Sequence, residues 1–234
     1  RNMKSLHIIT PVKDSIDSTL ATVRAILAAP PSADWTYTVY NDFSTPENTR
    51  RLEQASRKLG FSLVNLSDLT DHPSPNYLLV LRTARREALA ADAGLLIVES
   101  DITVGSETLQ GLWDGASRRP DCGIAAAVTV DEAGAVKYPY LFARKWSGGV
   151  HDVKKHLSFC CSLLTPELMR RFDFDRLDAS KNWFDVTISH ESLACGLHNY
   201  LFTTLPVLHR PHHLVVEPVG GGHIGEGILP ALGQ

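Results

Sequence analysis

Residues 94–101 read GLLIVESD. Five apolar residues, 94–98, run without a break into Glu99, Ser100 and Asp101. A short run of this kind with no alternation is the mark of a strand buried on both faces, as in a parallel sheet covered by helices. The acids then stand where the strand emerges. Along an extended chain Glu99 and Asp101 share one face, one pleat apart. Two carboxylates that close raise each other's pKa unless a cation lies between them. Oxygen ligands at a strand end suit Mg2+ or Mn2+ carrying phosphates. A plainer role for Asp101 is to cap the next helix.

The flanking sequence supplies the rest of such a sheet. SLHIITPV (5–12), WTYTVYND (35–42) and FSLVNLSD (61–68) read as strands. Between them, 15–30 has Leu20, Val23, Ile26 and Leu27 at helical spacing, with Asp14 or Ser15 as its N-cap. The stretch 45–60 has Pro46 in its first turn and Gly60 at its end, the start and stop signals of a helix. Residues 76–93 read as a helix leading into 94–101. The order βαβαβαβ predicts an α/β fold with a mostly parallel central sheet and helices on both faces. Downstream, 106–117 reads as a helix and 123–131 as a strand. The aromatic stretch 137–146 reads as extended. SFCCSLLTPELMRRF (158–172) reads as a strand, then a helix capped by Thr165 with Pro166 behind it. Asp185 to Cys195 reads as a helix ending at Gly196, and 198–213 as a strand ending in histidines.

The 234 residues carry a net charge of −3, so no basic field points to nucleic acid. The four cysteines form no CxxC pair, which argues against a zinc knuckle or a disulfide framework. No apolar run approaches the ~20 residues of a membrane helix. LHIIT (6–10) is too short for a signal-peptide core. A cytoplasmic protein is expected, with a peripheral membrane contact left open.

In an open parallel sheet, ligands bind beyond the carboxyl ends of the strands. Three strands here end in polar residues: Thr10-Pro11-Val12-Lys13-Asp14, Asn41-Asp42-Phe43-Ser44-Thr45 and Glu99-Ser100-Asp101. Taken in order, TPVKD, YNDFST, a helix with RTARR, and LLIVESD resemble the family 2 glycosyltransferases of GT-A fold, the nucleotide-diphospho-sugar transferase fold. SFCCSLLTPELMRRFDFD and NWFDVTISHESLACGLHNYLFTTLPVLH extend the resemblance to about residues 6–210.

The resemblance implies a glycosyltransferase that uses a UDP- or GDP-sugar and Mn2+ or Mg2+. Its acceptor would be a saccharide, a lipid-linked molecule or a protein. It implies Thr10 and Pro11 at the base pocket and Asp42 hydrogen-bonded to the base. Arg82 or Arg85 would face the diphosphate, and Glu99 or Ser100 the ribose. Asp101 would ligate the metal, joined by His209. Asp185 would be the general base of an inverting reaction, although a helix cap is its plainer role. The chain departs from the pattern at Asn41, Phe43, Glu99, Phe184 and Thr187. Those departures keep open a degenerate domain that binds a nucleotide or a partner without turnover. A nucleotidyltransferase would need a glycine-rich basic loop after the first strand, and TPVKDSIDS has no glycine. One domain is expected over 3–234, with a nucleotide half (3–101), an acceptor half (102–213) and a tail or lid (214–234). The glycine-rich stretch 220–227 would close over the diphosphate. Trp113, Trp146 and Trp183 are candidates to stack on an acceptor sugar.

Overall fold

The computed structural model describes residues 3–211. His212, His213 and the expected tail or lid at 214–234 lie outside the described residues.

The chain opens with β1 (Ser5–Val12), α1 (Ile16–Ala28), β2 (Asp34–Asn41), α2 (Pro46–Leu59) and β3 (Ser62–Asn65). It continues through α3 (Tyr77–Ala90), β4 (Ala93–Val98), β5 (Ile102–Thr103), α4 (Thr108–Ser117) and β6 (Cys122–Val130). Then come β7 (Val150–Asp152), β8 (Cys161–Leu164), α5 (Pro166–Arg171), α6 (Phe184–Ala194) and β9 (His198–His209). The strands form one nine-stranded sheet, ordered β3-β2-β1-β4-β8-β6-β9-β5, with β7 also on β9. β8 pairs antiparallel with both β4 and β6, and β9 runs parallel to β6. Among the described residues six strands therefore share one direction, and β5, β7 and β8 oppose it.

The uninterrupted run in β4 is explained by two cores. Leu95 and Ile97 pack on one face, with residues of α3, α5 and α6. Leu96 and Val98 pack on the other, with residues of α1, α2 and α4. Burying side chains of that size contributes roughly 1.5–3 kcal/mol each. No position in such a strand can be polar without a partner.

Local signals place the helices. Thr45 accepts a hydrogen bond from the Asn48 amide at the start of α2, and Gly60 ends it at φ 87°. Only glycine adopts that left-handed turn without steric cost. Thr165 caps α5 in the same way through the Leu168 amide. α6 is seated on β6 because Gly123 has no side chain: a Cβ there would overlap Ser192. Asn199 of β9 also donates to the Ser189 carbonyl of α6, at 3.0 Å.

The stretch 137–146 is not the extended segment its aromatics predict. It turns, with a short 3-10 helix at Leu141–Ala143. Tyr140 fixes the turn by donating to the Ser158 carbonyl and accepting from the Ser158 amide, at 3.2 and 3.0 Å.

Candidate functional site

β1, β2, β4, β6 and β9 end on the same edge of the sheet, and three acids gather there. β4 stops at Val98, so Glu99, Ser100 and Asp101 form a turn closed by the Ile102 amide on the Glu99 carbonyl, at 3.2 Å. The chain then reverses as β5 against β9, with Ile102 opposite His209. That register brings Asp101 to the histidine. Asp101 Oδ2 lies 2.9 Å from His209 Nε2, and both side chains are largely buried. The hydrogen bond to Asp101 raises the His209 pKa against the opposing effect of burial. Asp101 is not a helix cap, because the next helix, α4, starts at Thr108 after Glu107.

Sequence reasoning passed over Arg210, which locks this corner. Its backbone amide donates to the Asp101 carbonyl at 3.0 Å. Its guanidinium donates to Thr103 Oγ1, to the carbonyls of Ser18 and Ser100, and to Thr22 Oγ1. One arginine thus ties α1, the Glu99–Asp101 turn, β5 and the end of β9. It carried no signal in the sequence, since its partners come from two distant segments, α1 and residues 100–103.

Asp185 sits in the first turn of α6, fully buried. Trp183 holds the cap position, so capping is not what placed Asp185 there. Its Oδ1 accepts from the Val186 amide at 2.8 Å. Its Oδ2 is buried with no hydrogen-bond partner among the described residues. Burial pushes its pKa up to about 7, against the hydrogen bonds from backbone amides. Glu99 links the two acids. Its pKa is also pushed to about 7, by burial first and then by the Asp101 charge. His209 pulls it back down, Asp185 adds to the rise, and the Cys160 thiol donates to it.

Tyr77, at the start of α3, is the second residue that sequence reasoning missed. It is 5% exposed, and its ring stacks on Phe184 at 6.3 Å between centroids. Its hydroxyl is buried without a hydrogen-bond partner among the described residues. The charges of Glu99 and Asp185 add to the burial that raises its pKa. A donor and an acceptor atom therefore both stand unsatisfied beside the acids.

Other expected site residues are engaged elsewhere. Thr10 is fully buried, with its hydroxyl 2.7 Å from the Tyr37 hydroxyl, and offers no surface to a base; Pro11 is buried too. Asp42 spends both oxygens on the 74–76 loop, accepting from Ser74 Oγ, the Asn76 amide and Asn76 Nδ2 at 2.8–2.9 Å. Arg82 donates to the carbonyls of Phe174, Asp175 and Leu177. Arg85 donates to the Met169 carbonyl and to Asp173. Both arginines serve as pins between α3 and the 169–177 segment. Ser100 presents its carbonyl to Ser18 and Arg210. Trp113 packs into the core, whereas Trp146 and Trp183 are exposed.

Among the described residues no group of three or more His, Cys, Asp or Glu side chains is arranged to hold a metal. The Asp101–His209 pair offers one carboxylate oxygen and one imidazole nitrogen. The carboxylate suits Mn2+ or Mg2+, and the imidazole favours the transition ion Mn2+ over the harder Mg2+. A cleft of about 290 Å3 opens beside His209, lined also by Asp131, Glu132, Lys137 and Pro211.

No protein-family model and no curated protein matches the chain. Solved structures do. GalNAc-T7, crystallised with UDP, GalNAc and Mn2+, superposes with a TM-score of 0.66 at 11% identity. The match covers 91% of this chain and 44% of that one. The mannosyltransferase PcManGT from Pyrobaculum calidifontis, in complex with GDP-Man and Mn2+, superposes at 0.63 and 16% identity. That match covers 91% of this chain and 59% of the enzyme. The chain has a GT-A fold. It corresponds to about half the length of these two GT-A neighbours. The GT-A sheet accounts for the gathering of Asp101, His209, Glu99 and Asp185 at one edge, because each stands at or just beyond a strand end or at a helix start.

Proposed function

We propose that the chain is a divalent-metal-dependent, inverting glycosyltransferase acting on a UDP- or GDP-sugar, on the family 2 pattern. The observation that carries this reading is Asp185. A fully buried carboxylate with one unpartnered oxygen is expensive to keep, and function is the usual reason for keeping it. A pKa near 7 suits a general base at neutral pH.

Asp101 and His209 would hold the metal, which when bound supplies positive charge to a departing diphosphate. Asp185 Oδ2 takes the proton of the acceptor hydroxyl. The acceptor oxygen forms its bond to the anomeric carbon while the carbon–phosphate-oxygen bond breaks, and that electron pair leaves with the nucleoside diphosphate. A single displacement of this kind inverts the anomeric centre. The Tyr77 hydroxyl, beside the same acids, orients the acceptor or the donor sugar. Arg210 holds the Asp101 turn against β9 and so fixes the metal corner.

The test uses UDP- and GDP-sugars with and without Mn2+, on the wild type and on Asp185→Asn. Transfer or donor hydrolysis that disappears in the variant, with donor binding retained, supports the reading. Turnover undiminished by Asp185→Asn would sink it. A domain that binds without turnover is the second reading. It is favoured by Arg82 and Arg85, whose guanidiniums are taken up by the 169–177 segment. Wild-type donor binding with no turnover on any acceptor would establish it.

A further inference from the structure

The surface beside the site combines exposed apolar and cationic side chains in one short stretch. Five large hydrophobic side chains are exposed among the described residues, and three of them lie within 138–146. These are Tyr138, Leu141 and Trp146, at 36%, 46% and 37% exposure. The same turn exposes Arg144 and Lys145, and Lys154 and Lys155, just beyond β7, are exposed too. Ring contacts hold these pieces in one patch. Phe142 meets Trp146 at 5.4 Å, Trp146 meets His151 at 4.6 Å, and the Lys155 ammonium lies 5.3 Å above the Phe142 ring. Residues 137–156 hold five Lys or Arg and one acid, Asp152, in a chain whose net charge is −3. The patch also adjoins the site, since the Tyr138 carbonyl lies 3.3 Å from His209 Nδ1.

We propose that this face docks on an anionic lipid bilayer. Cations near such a surface are drawn to its headgroups, each worth about a fivefold gain in partitioning. Charge alone gives weak, salt-sensitive attachment, and a second, apolar signal is needed for stable binding. Leu141 supplies it. An exposed aliphatic side chain gains nothing from a sugar or a phosphate, but it gains from acyl chains. Tyr138 and Trp146 have the amphipathic rings that collect at the headgroup level. The proposal goes beyond the glycosyltransferase reading and its test needs no turnover, so either can fail alone. If both hold, the acceptor is presented at the membrane surface with the Asp101–His209 corner facing it.

The test is flotation of the full chain with vesicles of phosphatidylcholine alone and of an equimolar mixture with phosphatidylglycerol. The wild type is expected to float with the anionic vesicles and not with the neutral ones. Arg144→Gln with Lys145→Gln should weaken partitioning roughly thirtyfold. Arg57→Gln with Lys58→Gln, an equal charge change on the exposed end of α2, should leave it within about twofold. Leu141→Asp should also release the protein, with its unfolding temperature unchanged because the side chain is exposed. Three outcomes overturn the proposal. The wild type fails to float with the anionic vesicles, or both double variants lose binding equally. In the third, Leu141→Asp has no effect and a soluble anionic polysaccharide strips the protein off, so that the face reads glycan charge.

Discussion

Asp101 Oδ2 and His209 Nε2 meet at 2.9 Å across 108 residues of sequence, at the point where β5 turns back along β9. Both side chains are largely buried, and His209 Nδ1 also lies 3.3 Å from the Tyr138 carbonyl. Asp101→Ala and His209→Ala should each weaken Mn2+-dependent binding of a UDP- or GDP-sugar by on the order of 100-fold, since even outer-shell losses reach that size. Titration calorimetry with and without Mn2+ checks this. Metal-dependent affinity that survives Asp101→Ala would remove the pair from the metal site.

Asp185 gives a pH signature with a definite sign. In the unfolded chain its carboxyl releases its proton near the ordinary value of 3.8, but in the folded chain it holds the proton up to about 7. Between those values the folded state binds more protons, so stability falls as pH rises through the window. Asp185→Asn removes the titration and keeps an oxygen for the Val186 amide. The variant should match the wild type below about pH 4 and exceed it by on the order of 4 kcal/mol above about pH 7. Chemical denaturation at several pH values measures the gap. Wild-type transfer should rise with pH through about 7 as the base loses its proton, and the variant should show none.

Tyr77→Phe separates stability from function. The stack on Phe184 is kept, and a buried hydroxyl with no hydrogen-bond partner among the described residues is removed. An unsatisfied buried polar group costs roughly 1–3 kcal/mol, so the variant should be equally stable or up to about 1 kcal/mol more stable. Transfer should nevertheless fall about tenfold, the effect of losing one substrate hydrogen bond. Thermal unfolding and kcat/KM measured on the same preparation decide it. A stabilised variant with unchanged kcat/KM would mean the hydroxyl meets no substrate.

Arg210→Ala tests whether the Asp101–His209 corner depends on its support. The loss of bonds to Ser18, Thr22, Thr103 and Ser100 should free the end of β9 from α1 and the acid turn. Mn2+-dependent donor binding should drop by about 10–100-fold, although the backbone amide that Arg210 donates to the Asp101 carbonyl is kept in the variant. Arg210→Lys, which keeps the charge but lacks the fork, should recover little of it. Full recovery with lysine would reduce the role to charge alone.

The parts of the fold legible in the sequence were those set by neighbours in the chain. The two-faced burial of β4 shows in its unbroken apolar run, and Thr45, Pro46 and Gly60 mark α2 at both ends. The turn at 137–146 was not legible, because what fixes it is Tyr140 bonded to Ser158, a tertiary contact that aromatic composition does not encode. The same limit applies at the site. Acids at strand ends can be read from the alternation of polar and apolar residues. The direction of a long arginine from a helix cannot, because it is chosen by carbonyls about ninety residues away.

Those arginines give the last prediction. Arg85 binds the Met169 carbonyl through Nε and Nη2 at 3.0 and 2.7 Å, pairs with Asp173 at 3.2 Å, and lies over the Phe174 ring at 5.5 Å. Arg82 reaches the Phe174 and Leu177 carbonyls at 3.2 and 3.1 Å. Charge-assisted hydrogen bonds to carbonyls contribute about 1.5–3 kcal/mol each, and removal leaves part-buried acceptors without donors. Arg85→Ala should therefore destabilise the fold by roughly 2–4 kcal/mol, with Arg82→Ala somewhat milder. Donor affinity, measured below the unfolding transition, should stay within about twofold of wild type, because both guanidiniums are taken up by the 169–177 segment. A large loss of donor affinity at unchanged stability would restore the diphosphate role that the family resemblance implies, and would mean that the 169–177 segment releases these side chains when the donor binds.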